Sequence, residues 1–494
     1  MTRKRAVIVG AGLGGLATSI RLAHAGLDVT VLEKNPTTGG RCSRLEVAGH
    51  RFDTGPTMLL MRDAVEELFS AVGRRLDDYV SLERMHTNYR IHFGVDGTSL
   101  DVTSDPEELA HNLDLFSPGA VPGFKRFLAD AGYKYRVARA RFVERNFTSI
   151  AQFATLPNLY YLLRTNTLRS LAAHAGRYFP DPRLQAAFTF QSMYLGLSPA
   201  ISPAVYALLP YTEIAEGIWF PKGGMYALTQ ALERLALELG VGVRTDQEVE
   251  AVTVRGSRAR AVRVAGEDVP ADVVVSNADL PYTYRRLLPQ DQPRRRFVSS
   301  RSLRHGCSVY LLFVAAPREF PQARHHTVFL SSDVSANYRA VFADRRLPAD
   351  PSLYVCVASR TDRSLSPNGQ DGVYTLVPVP EQTAGICWSS AAPELRQKVL
   401  ARLQLLGFGD LGRSPMEMQT PEYLAAQYNL SRGAAFGLAH NFTQVGYFRP
   451  SNRHRSITNV YFVGASTVPG GGVPMVIIGS RLTAERVLMD LAHG

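Results

Sequence analysis

Val7-Ile8-Val9-Gly10-Ala11-Gly12-Leu13-Gly14-Gly15-Leu16 is the segment around which the chain is organised. Residues 6–9 read as a short apolar strand, and residues 13–25 as a helix with Leu16, Ile20 and Ala23 on one face and Gly26 as its stop. Between them Gly10, Gly12 and Gly15 fall in the spacing G-x-G-x-x-G. Residues 28–32 form a second apolar strand that ends at Glu33. Strand, glycine turn, helix, strand and acid, in that order, are what a dinucleotide site requires. Gly10 permits the turn, Gly12 lets a pyrophosphate approach the backbone, and Gly15 lets the helix pack closely. The free N–H groups and positive dipole end of the helix favour phosphate, and Glu33 can accept from ribose hydroxyls. A turn of purely structural use is the alternative.

The next loop, residues 34–41, carries Lys34, then Gly39, Gly40 and Arg41. A guanidinium matches phosphate in bidentate fashion, and a nicotinamide site has no need of Gly-Gly-Arg so soon after the ribose acid. The dinucleotide is therefore expected to be FAD. Phe52-Asp53-Thr54-Gly55-Pro56-Thr57-Met58 reads as a strand running into a turn of the same site. Far downstream, a strand at residues 459–463 leads into Gly464-Ala465-Ser466-Thr467-Val468-Pro469-Gly470-Gly471-Gly472-Val473-Pro474-Met475 and a closing helix over about 476–492. A second glycine turn feeding a helix can aim N–H groups at the flavin edge where charge gathers on reduction. Val249 opens a strand whose backbone could meet the adenine.

The 494 residues imply two or three domains or one large domain with an insertion. A net charge of +11 admits nucleic acid or an anionic membrane surface as a partner. The basic residues occur as scattered clusters, such as Arg294-Arg295-Arg296 and residues 449–455, without any nucleic-acid-binding signature, so nucleic acid is set aside. Cys42, Cys307, Cys356 and Cys387 form no C-x-x-C pair, which suggests reduced thiols in a cytoplasmic protein. The basic start and apolar run at residues 1–9 are broken at once by glycines and are not a secretion signal. No apolar stretch is long enough to span a bilayer.

Residues 59–220 read as mainly helical, with little strand alternation. Helices are expected at residues 64–72 and after the Pro-containing starts at residues 105–109 and 117–120. Between residues 156 and 180, Leu159, Tyr160, Tyr161, Leu162 and Leu163 interleave with Arg164, Arg169 and Arg177 without an acid. That is the composition of an interfacial amphipathic helix; a helix packed on its own domain is the alternative. Strands resume at residues 241–278 and alternate through 300–420, with a helix at 393–406. The expected class is α/β: a Rossmann-like FAD-binding domain (1–75, 222–295, 455–494), a helical, membrane-associating domain (76–221) and a mixed-sheet substrate domain (296–454).

The chain resembles the bacterial and fungal phytoene desaturases, carotenoid oxidoreductases of the amine-oxidase-like FAD superfamily. The resemblance covers nearly the whole length. It rests on residues 7–16, Gly39-Gly40-Arg41, residues 52–57 and Gly217-Ile218-Trp219-Phe220-Pro221-Lys222-Gly223-Gly224. It rests further on Ser276-Asn277-Ala278-Asp279, Tyr447-Phe448-Arg449-Pro450 and the C-terminal glycine block. It implies non-covalent FAD held around Gly10, Gly12, Gly15, Glu33, Gly40, Arg41, Gly464, Gly472 and Val473. Gly14, Lys34, Gly55, Pro56, Thr57, Met58, Val249, Ala465, Pro474 and Met475 complete the expected cofactor set. It also implies a linear C30 or C40 carotene, hydride transfer to flavin N5, peripheral membrane association, and oxygen or quinone as electron acceptor. The chain departs from the family pattern at Ser466 and Val468, where glycine and histidine are usual.

A hydrocarbon offers no polar handle, so the protein must align the chain, exclude water and leave a route for a proton. No residue stands out as the proton acceptor; Glu213 and Glu216 are weak candidates, and the twelve histidines form no metal-binding pattern. The alternatives are another carotenoid-modifying enzyme (a hydroxycarotenoid 3,4-desaturase or a ketolase), a retinol saturase, an amine oxidase, or a prenyl-binding escort protein without redox chemistry.

Overall fold

A computed structural model describes residues 3–289 and 303–493; the cluster Arg294-Arg295-Arg296 and the expected domain boundary at 295/296 lie outside the described residues. The first strand, β1 (Arg5–Val9), runs through the glycine turn into helix α1 (Leu13–His24), and the chain returns as β2 (Asp28–Leu32). These strands lie in a five-stranded parallel sheet in the order Val460–Phe462, Val273–Ser276, β1, β2, Gly242–Arg244. Three segments far apart in sequence thus meet in one sheet.

A sheet covered on both faces needs strands that are apolar on both faces, and β1 shows why. Ala6 and Ile8 pack toward α1 and the helices Tyr226–Glu238 and Val473–His493. Val7 and Val9 pack toward a three-stranded antiparallel sheet, Val249–Arg255, Arg258–Val264 and Glu267–Pro270. The closing helix begins at Val473, three residues earlier than expected. Pro474 sits in its first turn, where a missing N–H costs nothing.

The second large sheet has seven strands, in the order Met416–Gln419, Ser308–Ala316, Asp371–Val379, Leu353–Cys356, His326–Leu330, Thr87–Phe93, Ser99–Thr103. The last two correct the helical reading of residues 59–220. Tyr89, Ile91 and Phe93 alternate inward while Arg90 and His92 stay half-buried. Arg90 lies directly opposite Asp101 and donates to it from Nε at 2.6 Å. A cross-strand ion pair on the wetter face masks a period-two pattern when only apolar residues are counted. Since Thr87–Phe93 pairs in parallel with His326–Leu330, this sheet joins two segments that the sequence assigned to separate domains.

Residues 106–215 are mostly helical. Asp105 caps Pro106–Phe116 by accepting the N–H groups of Glu107 and Glu108, and Val121–Ala138 follows. Residues 156–180 do not form one helix: Leu156–Arg164 and Leu171–Ala175 are separated by a break at Asn166, whose φ is +53°.

Candidate active site

The two glycine turns open on one cavity of about 1750 Å³, well above the roughly 300–1,000 Å³ that suffices for one drug-sized ligand. Every residue of the expected cofactor set lines it except Gly15. Gly15 works from behind: a Cβ there would stand 2.1 Å from the Gly10 carbonyl oxygen, so the glycine closes the turn onto α1. Gly10 has φ +94°, which only glycine adopts without strain. Gly12 caps α1 without a side-chain hydrogen bond, leaving the first-turn N–H groups to an outside acceptor.

Gly12 and Gly14 have a further role that the motif did not disclose. A Cβ on either would stand 2.7 Å from the side-chain amide of Asn277. Asn277 follows the strand Val273–Ser276, and its backbone N–H donates to the Val9 carbonyl at 2.8 Å. The glycines therefore admit a neighbouring side chain of the protein as well as a ligand. Glu33, buried at the end of β2, accepts from Ala11 N–H at 2.8 Å through Oε2 and from Asn35 N–H at 3.0 Å through Oε1. It braces the glycine turn; Oε1 also accepts from Asn35 Nδ2 at 2.9 Å, and Oε2 keeps further acceptor capacity for a hydroxyl. Lys34 is turned to structural use: Nζ donates to the Ala426 carbonyl at 2.8 Å and to Asn429 Oδ1 at 3.1 Å. Arg41 donates from Nη1 to the Ala435 carbonyl at 2.7 Å. Burial lowers its pKa from the ordinary value, with Asp279 opposing.

Two of the quoted motifs meet below this cradle. Asp53 accepts the N–H groups of Met225 and Tyr226 at 2.7 and 2.9 Å, capping the helix Tyr226–Glu238. A Cβ on Gly224 would press on Asp53 Oδ2 at 2.9 Å. Burial pushes the Asp53 carboxyl up to about 6 although both hydrogen bonds pull it down.

The C-terminal turn is held by residues to which the sequence reading gave no role, one of them, His440, not singled out there at all. Arg449 is 2% exposed. It donates to the carbonyls of Thr467 (2.9 Å), Leu438 (3.1 Å), Gln444 (3.2 Å), Ala439 (3.3 Å) and Ala465. Burial lowers its pKa to about 10. His440 accepts the Gly471 N–H through Nε2 at 3.1 Å. Burial, with Arg449 nearby, holds its pKa well below the usual value, so the ring is neutral. Ser466, one of the departures from the family pattern, donates to Asp279 Oδ1 at 2.9 Å, while Asp279 Oδ2 accepts Ser431 N–H at 3.0 Å. The serine thus ties the C-terminal turn to the loop after Val273–Ser276. Val468, the other departure, lines the cavity.

Away from the glycines the cavity is walled by Leu159, Leu162, Leu163 and Leu168, together with Phe153 and Phe442. Leu156, Leu163 and Leu168 are also 84%, 70% and 79% exposed, so an apolar lip faces outward beside the cavity. Neither weak proton-acceptor candidate lines it. Glu213 is fully buried, accepting from Tyr89 Oη at 2.8 Å and Gln191 Nε2 at 3.2 Å, and burial pushes its pKa up to about 7. Burial likewise raises Glu216.

The residues fit an adenine–flavin dinucleotide: an uncapped helix N-terminus behind a glycine turn, a buried acid at the ribose position, a half-buried guanidinium, and a second glycine turn into a helix. The family model for flavin-containing amine oxidoreductases matches residues 13–488. A zeta-carotene-forming phytoene desaturase of Myxococcus xanthus is 45% identical over 99% of this chain and 95% of its own length. A phytoene desaturase of Fusarium fujikuroi is 36% identical over 99% and 90%. Among solved structures, putrescine oxidase bound to putrescine superposes with a TM-score of 0.64 at 17% identity, covering 100% of both chains; that likeness concerns the fold. From its glycine cradle to its closing helix, this chain belongs to the flavin-containing amine oxidoreductases and, within them, to the phytoene desaturase family.

Proposed function

We propose that the protein is an FAD-dependent desaturase of a linear carotene, acting at a membrane surface. The observation that carries this reading is the continuity of one cavity from the glycine cradle to an exposed apolar lip. A dinucleotide would occupy the polar end and a long hydrocarbon the apolar end. FAD, when bound, supplies the hydride acceptor for the oxidation of a CH–CH unit.

The chain's own residues supply binding and exclusion. The first-turn N–H groups of α1 and the Arg41 guanidinium would hold the pyrophosphate, Glu33 the ribose, and the N–H groups of the C-terminal turn the ring edge. The leucine and phenylalanine walls would align the polyene and keep water from it. Arg449 and His440 fix the C-terminal turn, so its N–H groups are set before any ligand arrives. We read the chain in three parts, as the sequence divides it, with strands 87–103 carried by the substrate sheet.

The lip at Leu156, Leu159, Tyr160, Leu163 and Leu168, with exposed Arg164, Arg169 and Arg177 beside it, suits an anionic bilayer surface. Among the described residues no helix is long and apolar enough to cross a membrane; the attachment in this reading is peripheral, on the cytoplasmic side. Oxygen or quinone would reoxidise the flavin.

The test is pigment analysis of cells that make phytoene, with and without this chain. New, more unsaturated carotenes are expected, with zeta-carotene, the product named for the Myxococcus relative, as the first compound to look for. Unchanged phytoene, with flavin-loaded protein present, would overturn the reading.

A further inference from the structure

Beneath the Thr57 side of the cavity, His325, His326 and Cys356 bring one donor atom each to within 4.8 Å of one another. Strand pairing makes the cluster. His326 opens His326–Leu330, Cys356 ends Leu353–Cys356, and the two are direct partners across the antiparallel ladder. The two imidazole rings lie 4.1 Å apart, and Phe220 closes the far side against His325 at 4.5 Å. The histidines are 5% and 1% exposed and Cys356 is 3% exposed.

The hydrogen bonds leave both imidazoles with a free nitrogen. His325 Nδ1 meets Thr361 Oγ1 at 2.6 Å, and His326 Nδ1 meets Tyr354 Oη at 2.6 Å. Tyr354 Oη in turn meets Thr57 Oγ1 at 2.7 Å, so it can accept from His326 and donate to Thr57. Both Nε2 atoms are buried without a hydrogen-bond partner. A buried polar atom left unmatched is costly. In the tautomer that donates from each Nδ1 to its hydroxyl, each imidazole keeps a bare Nε2, as metal-binding histidines do.

We propose that His325, His326 and Cys356 form a binding site for a thiophilic transition-metal ion, separate from the flavin cradle. Two imidazoles and a thiolate are a donor set for Cu⁺ or Zn²⁺. Three bonds of about 2.0–2.3 Å need donor separations of about 3.5–3.8 Å, so the side chains close in by about 1 Å. Binding converts the thiol to a thiolate, and one proton leaves for each ion bound. Cu⁺ with a thiolate is neutral, which a dry site favours over the residual charge that Zn²⁺ leaves.

The test uses the FAD-loaded enzyme under anaerobic conditions, dialysed separately against Cu⁺ and Zn²⁺ in competition with chromogenic chelators. One equivalent bound, with one proton released per ion, is expected, and the two arms identify the ion. Cys356→Ser and His326→Gln should each weaken binding by at least about 100-fold, and Thr361→Val by about 10–100-fold. Cys307→Ser, a buried thiol outside the cluster, should leave it unchanged. Flavin content checks that each variant is folded. Failure of the wild-type protein to retain either ion would overturn the proposal. Equal affinity in wild type and Cys356→Ser would do the same.

Discussion

Glu213 should make the protein lose stability between acid and neutral pH, and Glu213→Gln should abolish that loss. The carboxyl is fully buried, and its pKa is pushed from 4.5 up to about 7. Between those values the folded state holds a proton that the unfolded state has released, so stability falls as pH rises through the window and levels off above pH 7. At about 1.36 kcal/mol per pH unit across that window, the carboxyl's contribution amounts to about 3 kcal/mol. At roughly 2.1 cal/mol/K of unfolding entropy per residue, a chain of this length that unfolds as one unit would shift by about 3 °C. Glutamine reproduces the protonated acid. Its carbonyl can take the bonds from Tyr89 and Gln191, and its amide sits where Oε1 already lacks a partner. The assay is the thermal midpoint of both proteins in buffers from pH 4.5 to 8.5, with flavin fluorescence as an independent probe. The two should agree at the acid end, with the variant ahead by about 3 °C at pH 8. Parallel pH profiles would refute the reasoning, because every other titrating group is common to both.

Gly15→Ala should fold without flavin, or fail to fold, since its Cβ meets the Gly10 carbonyl at 2.1 Å; the flavin absorbance of the purified protein reports it. Arg449→Met removes a buried cation from five carbonyls and should cost roughly 3–5 kcal/mol, read from denaturant midpoints, with flavin lost before the fold. Ser466→Gly restores the residue usual in the family and should cost about 1 kcal/mol through the lost bond to Asp279, leaving flavin content intact. Leu163→Asp with Leu168→Asp should lower co-sedimentation with anionic vesicles at least about tenfold without moving the thermal midpoint, because both residues are exposed.

The parallel sheet was legible because β1 and Val273–Ser276 are short valine-rich runs, with a glycine turn and a helix fixing the direction of β1. The cofactor set was legible for a similar reason: glycine turns and their following helices are local patterns. What lay beyond sequence reasoning is long-range. Thr87–Phe93 was missed because Arg90 and His92 alternate with its apolar residues, and the partner of Arg90, Asp101, lies on the neighbouring strand. Asn277 was quoted without a role because only the fold brings it against Gly12 and Gly14. Arg449 resembles any surface arginine until five carbonyls close around it. His325 and His326 sit thirty residues from Cys356, and only strand register unites them.

The order of strands in the parallel sheet also has a consequence during synthesis. β1 leaves the ribosome long before Val460–Phe462, and Val273–Ser276, its neighbour, has its own outer partner only in that later strand. At about 5–20 residues per second, that later strand follows Val273–Ser276 by about 10–40 s. The helix that seals α1, Val473–His493, comes later still. Through that interval the apolar edge has no mate, and nascent chains would depend on chaperones to shield it. The two turns that would clasp the dinucleotide are themselves made about 20–90 s apart, so flavin capture waits for the later one.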